Sequence, residues 1–196
     1  MDDAVQPKTA RGETTRRAIL DAAEKVIGGG GYNDASISAI TRAAGVAQGT
    51  FYIYFKGKDE VFRELVIEMG RLLRRALTQA AESGSDRLAA EKEGLRAFLT
   101  FAKAHPNLYR IIQEAQFVNP EAYRTYFQSF GDNYRDGLEQ AARSGQISPG
   151  DAEIRAWALM GIAKNLGERY AMWNETRPID EVVEVAYRLI AEGLKP

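Results

Sequence analysis

The sequence predicts an all-α chain, a three-helix head followed by a body of about six helices. Three observations carry that expectation. Apolar residues recur at helical spacing from Thr14 almost to the end of the chain. Prolines, and one run of four glycines, fall between these stretches, at Gly28–Gly31, His105-Pro106, Asn119-Pro120, Ser148-Pro149 and Pro178. Between Ser36 and Lys58, two short stretches flank a single glycine, Gly45, with the spacing of a helix-turn-helix.

The elements follow in order. The residues to about Lys8 are polar, include Pro7, and read as a flexible lead-in. From Thr14, Ile19, Ala22, Ala23, Val26 and Ile27 fall on one helical face. Gly28–Gly31 ends that helix; four glycines exceed the need of a cap, which leaves a permissive loop or slack for the first helix to shift. Ser36 is a good N-cap for a helix whose Ile37 and Ile40 point inward with Ala43 and Ala44. Thr50 to Phe55 is β-branched and aromatic, and propensity alone reads it as a strand. Read as a helix, it puts Phe51 and Phe55 on a buried face, Gln48 and Tyr52 on a second, and Thr50 and Tyr54 on a third.

Beyond Lys58 the pattern stays helical. Val61, Phe62, Leu65, Val66, Met69, Leu72 and Leu73 mark a long helix reaching the region of Ser83-Gly84-Ser85. Leu88 to Ala104 makes the next and breaks at His105-Pro106. Asn119-Pro120 and Ser148-Pro149 each place a capping residue before a proline suited to a first helical turn, starting helices to about Ser144 and Asn174. A last helix follows Pro178 through Val182, Val183, Val185, Ala186, Leu189 and Ile190.

Composition narrows the function classes. A chain of 196 residues, 45% hydrophobic and 27% charged, is ordinary for a globular protein with a substantial core. No apolar run approaches the roughly 18 residues of a membrane span. The acidic start Met1-Asp2-Asp3 lacks a hydrophobic signal segment, so a cytoplasmic location is expected. The absence of cysteine removes disulfides, thiolate nucleophiles and cysteine metal sites together. The net charge of −1 averages unlike parts: residues 1–58 carry 8 basic and 6 acidic side chains, and residues 59–196 carry 18 and 21. The positive excess lies on the side that a phosphate backbone would favour.

The segment Ala43-Ala44-Gly45-Val46-Ala47-Gln48-Gly49-Thr50-Phe51-Tyr52-Ile53-Tyr54-Phe55-Lys56-Gly57-Lys58 resembles the helix-turn-helix of TetR-family transcriptional regulators. The shared pattern is a small pair and Gly-Val, then a small residue, Gly-Thr, an aromatic, Tyr, one residue, Tyr or His, Phe, and a Lys three residues later. The resemblance is strong over about residues 12–62. It decides for helix over Thr50–Phe55 and implies a DNA-binding head at 1–58 with a ligand-binding and dimerisation domain at 59–196.

It also implies that Ser36, Ser38, Gln48, Gly49, Thr50, Tyr52, Tyr54 and Lys58 sit where the family touches DNA. Their chemistry suits the task. Gln48 offers a bidentate amide to adenine in the major groove. Thr50 suits a phosphate or a thymine methyl, and the hydroxyls of Tyr52 and Tyr54 suit phosphates, which position rather than specify. Lys58 opens the following helix, where free amides and a cation favour phosphate. One departure is Ala47, where the family often has Ser or Thr; it removes a side-chain cap typically worth ~1 kcal/mol. Arg11, Arg16 and Arg17 read equally as an arm toward DNA or as solvated charge.

For the body, the resemblance implies a homodimer on a pseudo-palindromic operator of double-stranded DNA and a small-molecule effector. The helix from Ser148 is apolar on two faces: Leu159, Ile162, Ala163, Leu166 and Tyr170 form one; Trp157, Met160 and Gly161 form the other. With Val182, Ala186 and Leu189 of the last helix, the second face resembles the family's dimer interface. Phe98, Phe101, Phe117, Tyr126, Phe127 and Phe130, with Gln113 and Trp157, are candidates to line an effector pocket, and plain core packing is the alternative for each. Aromatic content favours a hydrophobic or aromatic effector, and the stretch from His105 to Tyr126 resembles regulators of fatty-acid or aromatic-acid breakdown that sense acyl-CoA thioesters. By the family's usual mode, repression is expected, released by the effector.

Catalysis is not expected. The single histidine, His105, precedes a proline, and no HExxH, GxSxG or phosphate-loop pattern occurs. No cofactor and no metal is implied, and no membrane partner. A helical protein-interaction adaptor without sequence-specific DNA binding is the remaining alternative; it leaves Gln48 through Lys58 unexplained.

Overall fold

Thr9 caps the first helix, α1 (Ala10–Gly30), by accepting the Gly12 N–H on its side-chain oxygen at 3.2 Å. That cap moves the start four residues ahead of the Thr14 expected from periodicity. In this computed structural model, residues 9–81, 84–173 and 176–195 are described. The expected lead-in to Lys8, the helix end near Ser83 and the one at Asn174 lie outside them.

The glycine run is not a loop. Gly28, Gly29 and Gly30 complete α1, and only Gly31 leaves it, at φ +90°. Gly28 is buried, and a Cβ built there would stand 2.5 Å from the Asn107 Cβ on α6 (Pro106–Val118). Its lack of a side chain lets two helices touch, which replaces the expectation of slack with a packing reason. Gly29 and Gly30 meet nothing within 4 Å.

The remaining helices among the described residues are α2 (Ile37–Ala44), α3 (Gln48–Tyr54), α4 (Lys58–Ala81), α5 (Arg87–Ala104), α7 (Pro120–Arg143), α8 (Ala152–Gly167) and α9 (Ile179–Leu194). A π-helical segment, Glu168–Met172, continues α8. Thr50–Phe55 belongs to α3 and its cap, so the aromatic run is helical despite its strand propensity. Tertiary burial decides it: Phe51 and Phe55 are 0% and 1% exposed, one turn apart.

Caps explain most boundaries. Asp86 accepts from the Ala89 N–H at 2.9 Å to start α5, and Asn119 accepts from Ala122 at 3.0 Å before Pro120 opens α7. His105-Pro106 ends α5 and opens α6 directly. Ser148-Pro149 does not start α8. Asp151 does, accepting the Ile154 N–H at 2.9 Å, while Ser148 instead bonds the Leu194 carbonyl through its backbone N–H at 2.9 Å.

The residues group into two compact units. One takes the chain to Gly70 together with Pro106–Arg124; the other takes Arg71–His105 together with the chain from Thr125. In the first, α1 packs against α2 and α6, with Ile19, Ala23, Ile27, Ile40, Phe62 and Ile111 buried. In the second, Leu95, Leu99, Leu138, Ile147, Ala156, Leu159, Val183 and Ile190 form one core.

Within that second unit, Arg87 pairs with the buried Glu91 at 2.6 Å, and the Tyr134 hydroxyl donates to the same carboxylate. Burial and Glu91 hold the Tyr134 hydroxyl well above the usual phenol range, so it stays a donor.

Val182 and Ala186 belong to this unit's own core, at 5% and 8% exposed, and are therefore not open to a partner subunit as the sequence suggested. On α9 the outward apolar residues are Val185 and Leu189, at 66% and 70% exposed. The helical period, with two consecutive valines at 182 and 183, conceals that both face in.

Candidate nucleic-acid interface

The head is assembled by three local devices. Ser36 Oγ accepts the Ala39 N–H at 3.1 Å and fixes the start of α2. Gly45 takes the left-handed conformation at φ +68°, ψ +30°, and its N–H turns back to the Arg42 carbonyl at 3.3 Å. The next residue, Val46, donates to the Thr41 carbonyl at 3.0 Å, so α2 closes within one residue of the turn. Ala47 makes no side-chain cap to α3; only its carbonyl serves, accepting from Thr50 N–H at 2.9 Å.

Burial then sets which side of α3 faces out. Phe51 and Phe55 lie with ring centres 5.7 Å apart, and Ile40 of α2 is fully buried. On the other side Gln48, Gly49, Tyr52 and Ile53 are exposed, with Thr50 and Tyr54 half-buried. Ser36 and Ser38 are exposed on α2. The Phe51 ring meets Tyr52 edge-on at 5.4 Å, which restrains the tyrosine without covering its hydroxyl face.

Lys58 differs from the other candidates. Its ammonium donates to the carbonyls of Tyr32 at 2.6 Å and Ala35 at 2.8 Å and lies 4.0 Å from the centre of the Tyr32 ring. Two of its three N–H donors therefore bind the turn before α2. Tyr32 also gives its hydroxyl to Asp59, meets Phe62 edge-on at 5.1 Å, and donates its backbone N–H to Glu114 at 2.7 Å. Burial pushes the Glu114 carboxyl up from the ordinary carboxylate range.

Arg16 and Arg17 are also engaged. Arg16 pairs with Glu64 at 2.7 Å and lies 5.1 Å over the Phe55 ring; Arg17 reaches Asp21 at 2.8 Å and Glu68 at 3.0 Å. The bonds to Glu64 and Glu68 join α1 to α4, and the Arg16–Phe55 contact lies at the end of α3. Sequence reasoning missed Tyr32 and Glu114, since their bond spans 82 positions and neither segment carries a motif. It also passed over Ile53, which the burial period of Phe51 and Phe55 places on the outer side.

The effector candidates divide between the units. Phe98, Phe101, Tyr126, Phe127, Phe130 and Trp157 fall in the second; Gln113 and Phe117 fall in the first. Tyr126 is buried, with Phe127 and Phe130 each 5.0 Å away between ring centres. Trp157 packs beside Gly131, where a Cβ would be 3.4 Å from the indole, yet it remains 42% exposed. Gln113 and Phe117 line an open cleft of about 420 Å³ with Gly28–Gly31, Arg110, Glu114 and Gln116, and Phe117 is 81% exposed. Met160 and Gly161 are half-buried, and Ile154 on the same helix is 68% exposed.

Among the described residues, no three His, Cys, Asp or Glu are grouped to hold a metal, and no helix is long and apolar enough to cross a membrane.

Known proteins bear on this arrangement. The profile of bacterial regulatory proteins of the tetR family matches residues 19–65. The fatty acid metabolism regulator protein of Bacillus subtilis (strain 168) is 45% identical over 185 residues, covering 90% of this chain and 93% of that one. The structure of the fatty acid degradation regulator FadR from Bacillus halodurans superposes with a TM-score of 0.81 at 22% identity, over 96% of this chain and 98% of that one. FadR from Bacillus subtilis in complex with stearoyl-CoA gives a TM-score of 0.79 at 20% identity, covering 90% and 98%. Identity in both superpositions is far below that of the sequence match, and they speak for the fold alone. The profile falls on the segment whose geometry is given above, and the sequence relative spans nearly the whole chain; the chain therefore belongs to the TetR family of bacterial regulatory proteins and is a DNA-binding transcriptional regulator.

Proposed function

We propose that the chain is a homodimeric repressor that reads a pseudo-palindromic operator through α3 and leaves it on binding a hydrophobic acyl-CoA-type effector. One observation carries the DNA reading. Gln48, Gly49 and Tyr52 stand exposed on a helix whose opposite side is pinned by fully buried Phe51 and Phe55. A rigid helix with an outward amide and hydroxyl suits a major groove. Gln48 reads adenine; Thr50, Tyr52 and Tyr54 hold phosphates, with Ser36 and Ser38 beside them. Lys58 acts mainly by fixing the turn that presents this surface. On this reading, residues 1–58 read DNA, residues 59–196 bind effector and dimerise, and the protein works in the cytoplasm where its DNA is.

Dimerisation fits the exposed residues Ile154 and Trp157 of α8 and Val185 and Leu189 of α9, with the half-buried Met160 and Gly161 beside them. The exposed ones are apolar while Leu159, Val183 and Ile190 serve the unit's core. The effector class rests on the relatives, which are named for fatty acid metabolism, one being held with stearoyl-CoA. The aromatic group Phe98, Phe101, Tyr126, Phe127 and Phe130 is the proposed acyl contact.

The test is binding to duplex DNA flanking the chain's own gene at two salt concentrations, with Gln48→Ala and Thr50→Ala/Tyr52→Phe beside the wild type. Salt-sensitive binding weakened in both variants supports the reading. Binding indifferent to these residues overturns the assignment of α3 as the reading surface. Acyl-CoAs of graded chain length, with free CoA and free fatty acid as controls, then test the effector class in the same assay.

A further inference from the structure

The outer side of α3 carries one residue that neither DNA-phosphate chemistry nor packing uses. Ile53 is 60% exposed, beside Tyr52 at 52%, on a helix of seven residues. A β-branched residue adds little to a short exposed helix and loses apolar burial there. Its χ1 freedom is small, so its methyls are held in a fixed direction. One turn back, at i−4, stands Gly49, where a built Cβ meets nothing within 4 Å. Helical side chains i and i+4 share a face, so Ile53 and the open space at Gly49 lie on the same side of α3. The outer side of α3 thus offers an exposed branched apolar side chain with open space one turn before it, and Gln48 is next to Gly49 in the chain.

We infer that Ile53, with the open space at Gly49 beside it, receives the 5-methyl group of a thymine in the operator, making Ile53 a sequence-determining residue of this regulator. The inference rests on the DNA-binding reading above. Thymine alone offers a methyl in the major groove, and apolar contact is the way a protein recognises it. Ile53 thus supplies what amides and hydroxyls cannot, discrimination between T·A and C·G through shape and burial. Gly49 has a role of its own: any side chain there fills the space that the methyl needs.

The experiment uses duplexes selected by the full wild-type chain from a randomised library, remade with deoxyuridine at each thymine in turn. That exchange deletes the methyl and keeps the base pairing. At one thymine in each half-site, wild-type affinity is expected to fall about fourfold, the worth of one buried methyl. Ile53→Ala is expected to bind the thymine duplex more weakly and to show no further loss with deoxyuridine at that position. Gly49→Ala, which adds a good helix former in open space, is expected to lose the same methyl sensitivity without losing thermal stability. Tight wild-type binding that is indifferent to every thymine methyl overturns the inference while leaving the DNA-binding reading intact. So does an Ile53→Ala protein that keeps the full methyl sensitivity. A wild-type chain that selects no sequence at all overturns both.

Discussion

The ammonium of Lys58 lies 4.0 Å from the centre of the Tyr32 ring and donates to the carbonyl of that same residue at 2.6 Å. One side chain at the start of α4 thereby holds the backbone that leads into α2. Charge-assisted bonds of this kind are worth more than neutral ones, and losing one partner strands carbonyls.

Lys58→Ala is therefore expected to lower folding stability by about 2 kcal/mol and DNA affinity with it. Tyr52→Phe, which removes only an exposed hydroxyl, is expected to lower affinity and leave the thermal midpoint unchanged. Calorimetry and DNA binding on both proteins separate a presenting residue from a contacting one. Equal thermal midpoints for Lys58→Ala and wild type would count against the presenting role.

Glu114 offers a pH test. Burial raises its carboxyl pKa in the folded chain, so the protonated form is favoured there relative to the unfolded state. Its contribution to stability is greatest below the unfolded pKa and is lost as pH rises through the folded one. Glu114→Gln keeps an acceptor for the Tyr32 N–H and removes the charge, so it is expected to melt above wild type near pH 7. That advantage should shrink toward pH 4. Glu114→Ala loses the acceptor and is expected to cost about 1 kcal/mol. Thermal melts across that pH range on the three proteins give the answer.

The glycine run makes a prediction with opposite signs inside three residues. Gly28→Ala places a methyl 2.5 Å from the Asn107 Cβ and is expected to cost about 1–3 kcal/mol. Gly29→Ala and Gly30→Ala meet open space in a helix and are expected to stabilise by up to about 1 kcal/mol each. Denaturant unfolding of the three variants reads this directly, and equal shifts in all three would refute the packing role of Gly28.

On α9 the inner and outer residues should separate association from folding. Leu189→Glu is expected to shift a dimer toward monomer by tenfold or more in sedimentation across a dilution series; a tenfold change corresponds to about 1.4 kcal/mol. Val182→Ala removes two buried methyl equivalents and is expected to cost about 2 kcal/mol of folding while leaving the subunit equilibrium nearly unchanged.

Residue type and a 3.6-residue period alone are enough to place the Ser36 cap and the Gly45 turn. They are not enough for the aromatic run of α3 with its buried pair Phe51 and Phe55, because propensity favours a strand; the family resemblance points to helix, and tertiary burial is the physical reason. Ser148-Pro149 carries the chemistry of a helix start without being one, because Asp151, three residues on, is an equally good cap and Ser148 is drawn to Leu194. Val182 and Val183 look alike in sequence, and both are buried; only their neighbours show it. Tyr32 and Glu114 cannot be paired from sequence at all, being joined across 82 positions by a single bond.

The keyed contact of Gly28 with Asn107 bears on how this reading head is exchanged among proteins. A graft that moves residues 1–58 onto a foreign body brings Gly28 but leaves Asn107 behind, and whatever side chain the new host offers must fit a space shaped for this one. Recombination, in the laboratory or in descent, should succeed when the stretch Pro106–Val118 travels with the head, and the inherited block is then two pieces of chain rather than one.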